Sequence, residues 1–227
     1  MLTSTDNSNK LILHFESPKD MQFVRGFYQI QKKTGFLKKR EIGTEPEFFF
    51  THTKGSAISE HENARKNNLK ISTLVDMDHD VKNNQFRGLA GVRSTRYACT
   101  LLTMQFLKNE TELDEEYLVD ILKRIGKNLN DDQCMKIKDR AIKTTWERLN
   151  RGNRFARENL EDKNVYTPLN DHSLSESIVV ELFGKDNLLK TEINEIEDQM
   201  RRYALKDNNN RLAGLLNQML VDVGAIS

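Results

Sequence analysis

The sequence predicts a mainly α-helical protein: a small α+β N-terminal part, then a helical bundle that closes with a C-terminal helical hairpin. Three observations predict it. Only three prolines (Pro18, Pro46 and Pro168) interrupt 227 residues, and proline is the residue least compatible with a helix interior. Beyond Gly91, apolar residues recur at steps of three and four, the period of a helix with one buried face. Short apolar runs bounded by turn residues, which mark strands, gather near the N-terminus. The expected division is an α+β region over 1–90, with a flexible polar arm at 1–9, and a helical bundle over 91–227.

The elements follow in order. In "KLILHFES" (10–17), Leu11, Leu13 and Phe15 share one face of a strand. "SPKD" then reads as a helix start, with Ser17 as N-cap, Pro18 at the first helical position and Asp20 three residues after the cap. Phe23, Val24, Phe27 and Ile30 give that helix its apolar stripe, and Gly35 ends it. "EPEFFFTHTKG" (45–55) is the second strand candidate. The stretch 56–86 carries the weakest pattern, with one short helix expected around Ser59 to Asn67. "STRYACTLLTMQFLKN" (94–109) is apolar on most faces, so a central buried helix is expected. The next helix should be capped by Thr111 with Asp114, and its stripe runs from Leu113 through Leu118, Ile121, Leu122 and Ile125. Asn130 and Gln133 stand in the same capping relation before a stripe of Cys134, Ile137, Ala141, Thr145, Trp146 and Leu149, with Gly152 as the stop. A short polar helix is expected over 153–162, and another over 173–184 between Ser173 and Gly184. Last come two stripes, Leu189 to Tyr203 and Leu212 to Val223, separated by "KDNNN". They predict a hairpin packed on the core or used for self-association.

Composition narrows the function. Hydrophobic residues make up 37 % and charged residues 30 % of the chain, and no apolar run nears the roughly 20 residues that span a bilayer. "MLTSTDNSNK" lacks the apolar centre of a secretory signal. The expected location is intracellular, with Cys99 and Cys134 as reduced thiols packed in helices. The sequence carries no P-loop, no dinucleotide-binding glycine motif, no nucleophile elbow and no Cys/His zinc pattern. No cofactor is expected.

Net charge is only +1, yet the charges are segregated. Between Met21 and Arg40 there are six bases and no acid: Arg25, Lys32, Lys33, Lys38, Lys39 and Arg40. Tyr28 and Phe36 lie among them as candidate stacking rings, since cations neutralise phosphates and exposed aromatics stack on unpaired bases. Residues 81–109 again lack acids, and "GLAG" (88–91) leads to Arg93 and Arg96, a pattern that suits a phosphate at a helix start or a plain flexible turn. Arg148, Arg151, Arg154 and Arg157 recur every third residue, spaced for successive phosphates or for pairing with nearby glutamates. The acids gather elsewhere, most tightly in "VDMDHD". Asp76, Asp78, His79 and Asp80 have the ligand chemistry of a magnesium or manganese site, and Glu60, His61 and Glu62 of "SEHEN" could be folded close to them. The plainer reading of that stretch is a solvated loop.

The leading expectation is a non-enzymatic, self-associating nucleic-acid-binding protein of nucleoprotein or transcription-accessory type. Its favoured ligand is single-stranded RNA, and viral or phage origin is suggested by composition. It would form a homo-oligomer through the C-terminal helices. One alternative is a helical scaffold or matrix-type protein that meets an acidic partner or an anionic membrane surface. The other is a metal-dependent nuclease centred on Asp76, Asp78, His79 and Asp80.

Overall fold

The run Leu11-Ile12-Leu13-His14-Phe15 is buried along its whole length, as suits a strand covered on both faces. In the computed structural model it is β1 (Leu11–Phe15), an inner strand of a four-stranded, wholly parallel sheet of order β2-β1-β3-β4. The structure describes residues 10–40, 42–76, 86, 88–95, 101–108, 113–126, 128–152, 174–184, 189–207 and 210–226. The chain divides into two compact units, and mainly helical is the right class for it.

The first unit takes in Met1–Asp76, Gln85–Thr95 and Asn209–Ser227. After β1 come α1 (Pro18–Thr34), β2 (Glu47–Phe50), α2 (Lys54–Lys66), β3 (Lys70–Val75) and β4 (Val92–Ser94). The sequence placed α1 correctly. Ser17 Oγ accepts from Lys19 N at 3.1 Å, Pro18 opens the helix and Gly35 closes it. β1 is joined to β2 on one side and hydrogen-bonded to β3 on the other. Two right-handed crossovers that move in opposite directions must place α1 and α2 on opposite faces. The packing agrees: Tyr28 of α1 meets Phe48, whose ring stacks on Phe15, whereas Ala64 of α2 meets Ile12 and Ile71.

The last helix belongs to this unit too. Within it, α8 (Asn210–Asp222) packs on β3 and α1, burying Leu212, Leu216, Met219, Leu220 and Val223. Its end is tied down by Asp222, which accepts from Ser72 Oγ at 3.0 Å and from Arg93 Nε and Nη2 at 2.8 and 2.5 Å. The last helix thus counts with the first unit, a division that differs from the expected boundary near residue 90. The hairpin expectation changes with it, because the two apolar stripes at the C-terminus serve different units.

The second unit comprises Met77–Asn84 and Arg96–Asn208. Its described elements are all helical: α3 (Leu101–Gln105), α4 (Glu115–Gly126), α5 (Asp131–Gly152), α6 (Leu174–Phe183) and α7 (Lys190–Ala204). Leu101, Leu118, Ile121, Cys134, Ala141, Ile178 and Met200 lie in its core. Asn130 and Gln133 form the expected reciprocal cap, with bonds of 2.9 and 3.0 Å. At α4 the expected cap moves. Asp114 Oδ1 accepts from Tyr117 N at 3.1 Å, so Asp114 is the N-cap residue where the sequence reading had Thr111. The long central helix expected over 94–109 is not seen either. β4 occupies 92–94, and the described helix is only Leu101–Gln105. Several buried polar groups in this unit are paired, which offsets the cost of burying them: Thr145 Oγ1 donates to Ala141 O at 2.9 Å and accepts from Ser177 Oγ at 3.0 Å, and Ser175 Oγ donates to Glu197 Oε1 at 2.6 Å. Cys134 is a buried free thiol whose pKa is raised by desolvation. The residues 153–162 and Ser173 lie outside the described residues. Among the described residues no helix is long and apolar enough to cross a membrane.

Gly91 shows how closely the first unit is built. Its φ is +80°, its carbonyl accepts from Thr73 N at 2.8 Å, and a Cβ there would stand 3.0 Å from the Ile71 carbonyl and 3.3 Å from His61 Cε1. Gly88, with φ +89°, faces open space. The left-handed backbone costs an alanine about 1–2 kcal/mol at either position. Gly91→Ala is expected to cost more than Gly88→Ala because only the first must also displace backbone and an imidazole. Urea denaturation of the two variants checks this, and equal losses would mean that Gly91 is not tightly enclosed.

Candidate cation site at the carboxyl edge of the sheet

In an open parallel sheet, the strand order reverses at one point, and the crevice outside the carboxyl ends of the two strands there is where ligands bind. Here that point lies between β1 and β3, where the strand order reverses. The residue directly after β1 is Glu16, and the residue directly after β3 is Asp76. The strands hold them side by side. Glu16 N donates to Leu74 O at 3.0 Å, and Asp76 N donates to Glu16 Oε2 at 3.1 Å. α1 starts immediately beyond Glu16, with Ser17 as its cap and Asp20, 8 % exposed, in its first turn. The positive end of the helix dipole favours anionic side chains there.

Asp78, His79 and Asp80 lie outside the described residues. Among the described residues alone, no three His, Cys, Asp or Glu side chains converge to hold a metal ion. Glu16 is a residue that sequence reading missed. An acid directly after a strand candidate was a signal, but its meaning depends on β3 lying next to β1.

The basic candidates fare unevenly. Tyr28 is fully buried, and its hydroxyl donates to Glu45 Oε2 at 2.7 Å. Burial, and then the bond to Glu45, pushes its pKa up. A ring with no exposed face cannot stack on a base, so Tyr28 leaves the stacking set. Lys32 is ion-paired with Glu45 and lies over the Tyr28 ring. Its hydrogen bond, followed by that of Tyr28, holds the Glu45 carboxyl below the usual range. Arg25, Lys33 and Lys38 are exposed. Arg40 is exposed and donates from Nη1 to Asn217 Oδ1 at 3.0 Å. Arg93 is committed to Asp222, which raises its pKa. Phe36 and Lys39 lie in a short 3-10 turn, Phe36–Lys39, and Arg148 and Arg151 lie in α5. The side chains of these four, and Arg96, Arg154 and Arg157 altogether, fall outside the described residues.

A second polar cluster lies on the α2 face of the sheet. His61 of α2, 3 % exposed, sets Nε2 at 3.0 Å from Ala90 O and Nδ1 at 2.9 Å from Thr73 Oγ1. Thr73 Oγ1 is also 3.3 Å from His14 Nδ1, and His14 is 4 % exposed. Desolvation lowers both imidazole pKa values. That of His14 falls to about 4, with the neighbouring His61 charge adding to the effect. Of "SEHEN", His61 thus serves the sheet interior rather than the acidic stretch.

The fold defines a class: a doubly wound α/β unit with Glu16 and Asp76 at neighbouring strand ends at its switch point, joined in one chain to a helical unit. No family model, curated protein or solved structure matches this chain.

Proposed function

We propose that the protein is a divalent-cation-dependent phosphodiesterase acting on nucleic acid, with its centre at Glu16 and Asp76. The observation that carries this reading is the Asp76 amide bound to the Glu16 carboxylate at the switch point. Carboxylates at the ends of two adjacent strands offer the hard oxygen ligands that magnesium and manganese take. A cation held there would polarise a phosphoryl oxygen and lower the pKa of a bound water. Water oxygen would add to phosphorus, the P–O bond to the leaving sugar would break, and the departing oxygen would take up a proton. Exposed Arg25, Lys33 and Lys38 lie on the same unit and would hold the polyanion at a distance from the acids.

The second reading is single-stranded RNA binding without chemistry, favoured by those same exposed cations. One experiment separates the two. The full chain is incubated with single-stranded RNA or DNA in magnesium, in manganese and in EDTA, and its melting temperature is followed in each. Cleavage in the metal that stops in EDTA, together with a metal-induced rise in melting temperature, is the expected result. Intact substrate and an unchanged melting temperature in every metal overturn the enzymatic reading. Salt-sensitive RNA binding in EDTA would then leave the second one standing.

A further inference from the structure

The His14–Thr73–His61 chain leaves one atom unaccounted for. A carbonyl can only accept, so His61 Nε2 carries the proton given to Ala90 O. His61 Nδ1 is then a lone pair, and the Thr73 hydroxyl must donate to it. Thr73 has no second proton, so His14 Nδ1–H must donate to Thr73 Oγ1. The remaining nitrogen of a neutral His14, Nε2, is left as a bare acceptor with no hydrogen bond among the described residues.

His14 lines a cleft of about 180 Å³ with Ile12, Phe49, Ile71, Thr51 and Glu60. The cleft has one chemical bias. The Thr51 hydroxyl gives its proton to Thr53 O at 3.5 Å, so its oxygen is left to accept. Glu60 is a carboxylate with no ion pair or hydrogen bond among the described residues. His14 Nε2 accepts. The polar side chains of the cleft are therefore acceptors, and the rest of the wall is aliphatic and aromatic. Drug-sized ligands need pockets of roughly 300 Å³ or more, so this cleft suits a single small ring system rich in N–H groups.

We propose that this cleft binds a guanine base. Guanine presents N1–H and the N2 amino group side by side, two adjacent donors that a carboxylate can accept together, and a flat face for Ile12, Ile71 and Phe49. Adenine and cytosine each set a ring acceptor beside their amino group, which would face Glu60 with repulsion. Uracil has one ring donor flanked by carbonyls. Bases are read in this manner elsewhere, by hydrogen bonds to the Watson–Crick edge and stacking on apolar side chains. The inference deepens the nucleic-acid reading by naming the base, but it requires neither the cation nor cleavage.

The test is isothermal titration of the full chain in EDTA with guanosine, adenosine, cytidine and uridine, alongside long-range ¹H–¹⁵N spectra of the histidines. The expected result is guanosine binding at least tenfold tighter than the other three. It should fall at least tenfold in Glu60→Gln, whose amide turns an acceptor into a donor on the surface of α2. His14 should show the Nδ1–H tautomer, and its Nε2 resonance should move when guanosine binds. Equal affinities, no binding, or a His14 proton on Nε2 overturn the proposal. If the guanosine test fails while metal-dependent cleavage persists, the guanine cleft is wrong and the cation centre stands. The converse outcome separates them the other way.

Discussion

Asp76→Asn and Glu16→Gln are each expected to lower metal-dependent cleavage by about a hundredfold or more. A cation at a phosphoryl group contributes several kcal/mol to the transition state, and about 3 kcal/mol corresponds to roughly a hundredfold in rate. The fold should survive both changes, for a geometric reason. The bond that joins the two residues runs from the main-chain Asp76 N to Glu16 Oε2. An asparagine keeps that N–H, and a glutamine keeps a carbonyl oxygen to accept it. Both variants therefore keep the bond that joins the two strand ends and should still fold in EDTA. The metal-induced rise in melting temperature should shrink in both variants. Cleavage within threefold of the parent in either one would remove that residue from the centre.

Acid should weaken the first unit well before its carboxylates titrate. The unfolded chain protonates His14 near its ordinary value of 6.5, while burial holds the folded value at about 4. The unfolded state therefore binds more protons through this window, so stability is complete above pH 6.5 and is lost as pH falls toward 4. A fall from 6.5 to about 4 corresponds to about 3 kcal/mol at 1.36 kcal/mol per pKa unit. His61 is lowered by the same cause and adds to the loss in the same direction. Urea denaturation from pH 7.5 to 4.5 measures it, with His14→Gln as the control that should flatten the slope. A parent protein equally stable across that range, or a His14→Gln variant with the parent's slope, would show that the imidazole is not buried as described.

Much of the helical part was legible because its signals are local. Ser17, Pro18 and Gly35 mark both ends of α1 within one stretch of chain, and the Asn130–Gln133 pair is four residues long. Periodicity identified the faces of α4, α5 and α7 for the same reason. The strands were harder. "KISTLV" is buried on both faces and shows no alternation, so it reads neither as a half-exposed strand nor as a helix. Its identity follows from pairing with β1, 59 residues away at the contact of His14 with Thr73. Asp114 displaced Thr111 as a cap because both are good capping residues and the chain path before α4 decides between them.

The site shows the same division. The sequence by itself determined the raw materials: an acid-dense stretch at Asp76, Asp78 and Asp80, segregated cations, and an α1 that starts just after Glu16. It could not determine which side chains meet. Glu16 joins Asp76 only because β1 and β3 are neighbours at the reversal of the strand order. Tyr28 is buried, and Arg93 is taken by Asp222, only because β2 and the distant last helix pack where they do. Composition and period are properties of a segment and survive in isolation. Strand order, burial and charge pairing join segments far apart in the chain, so tertiary structure alone decides them.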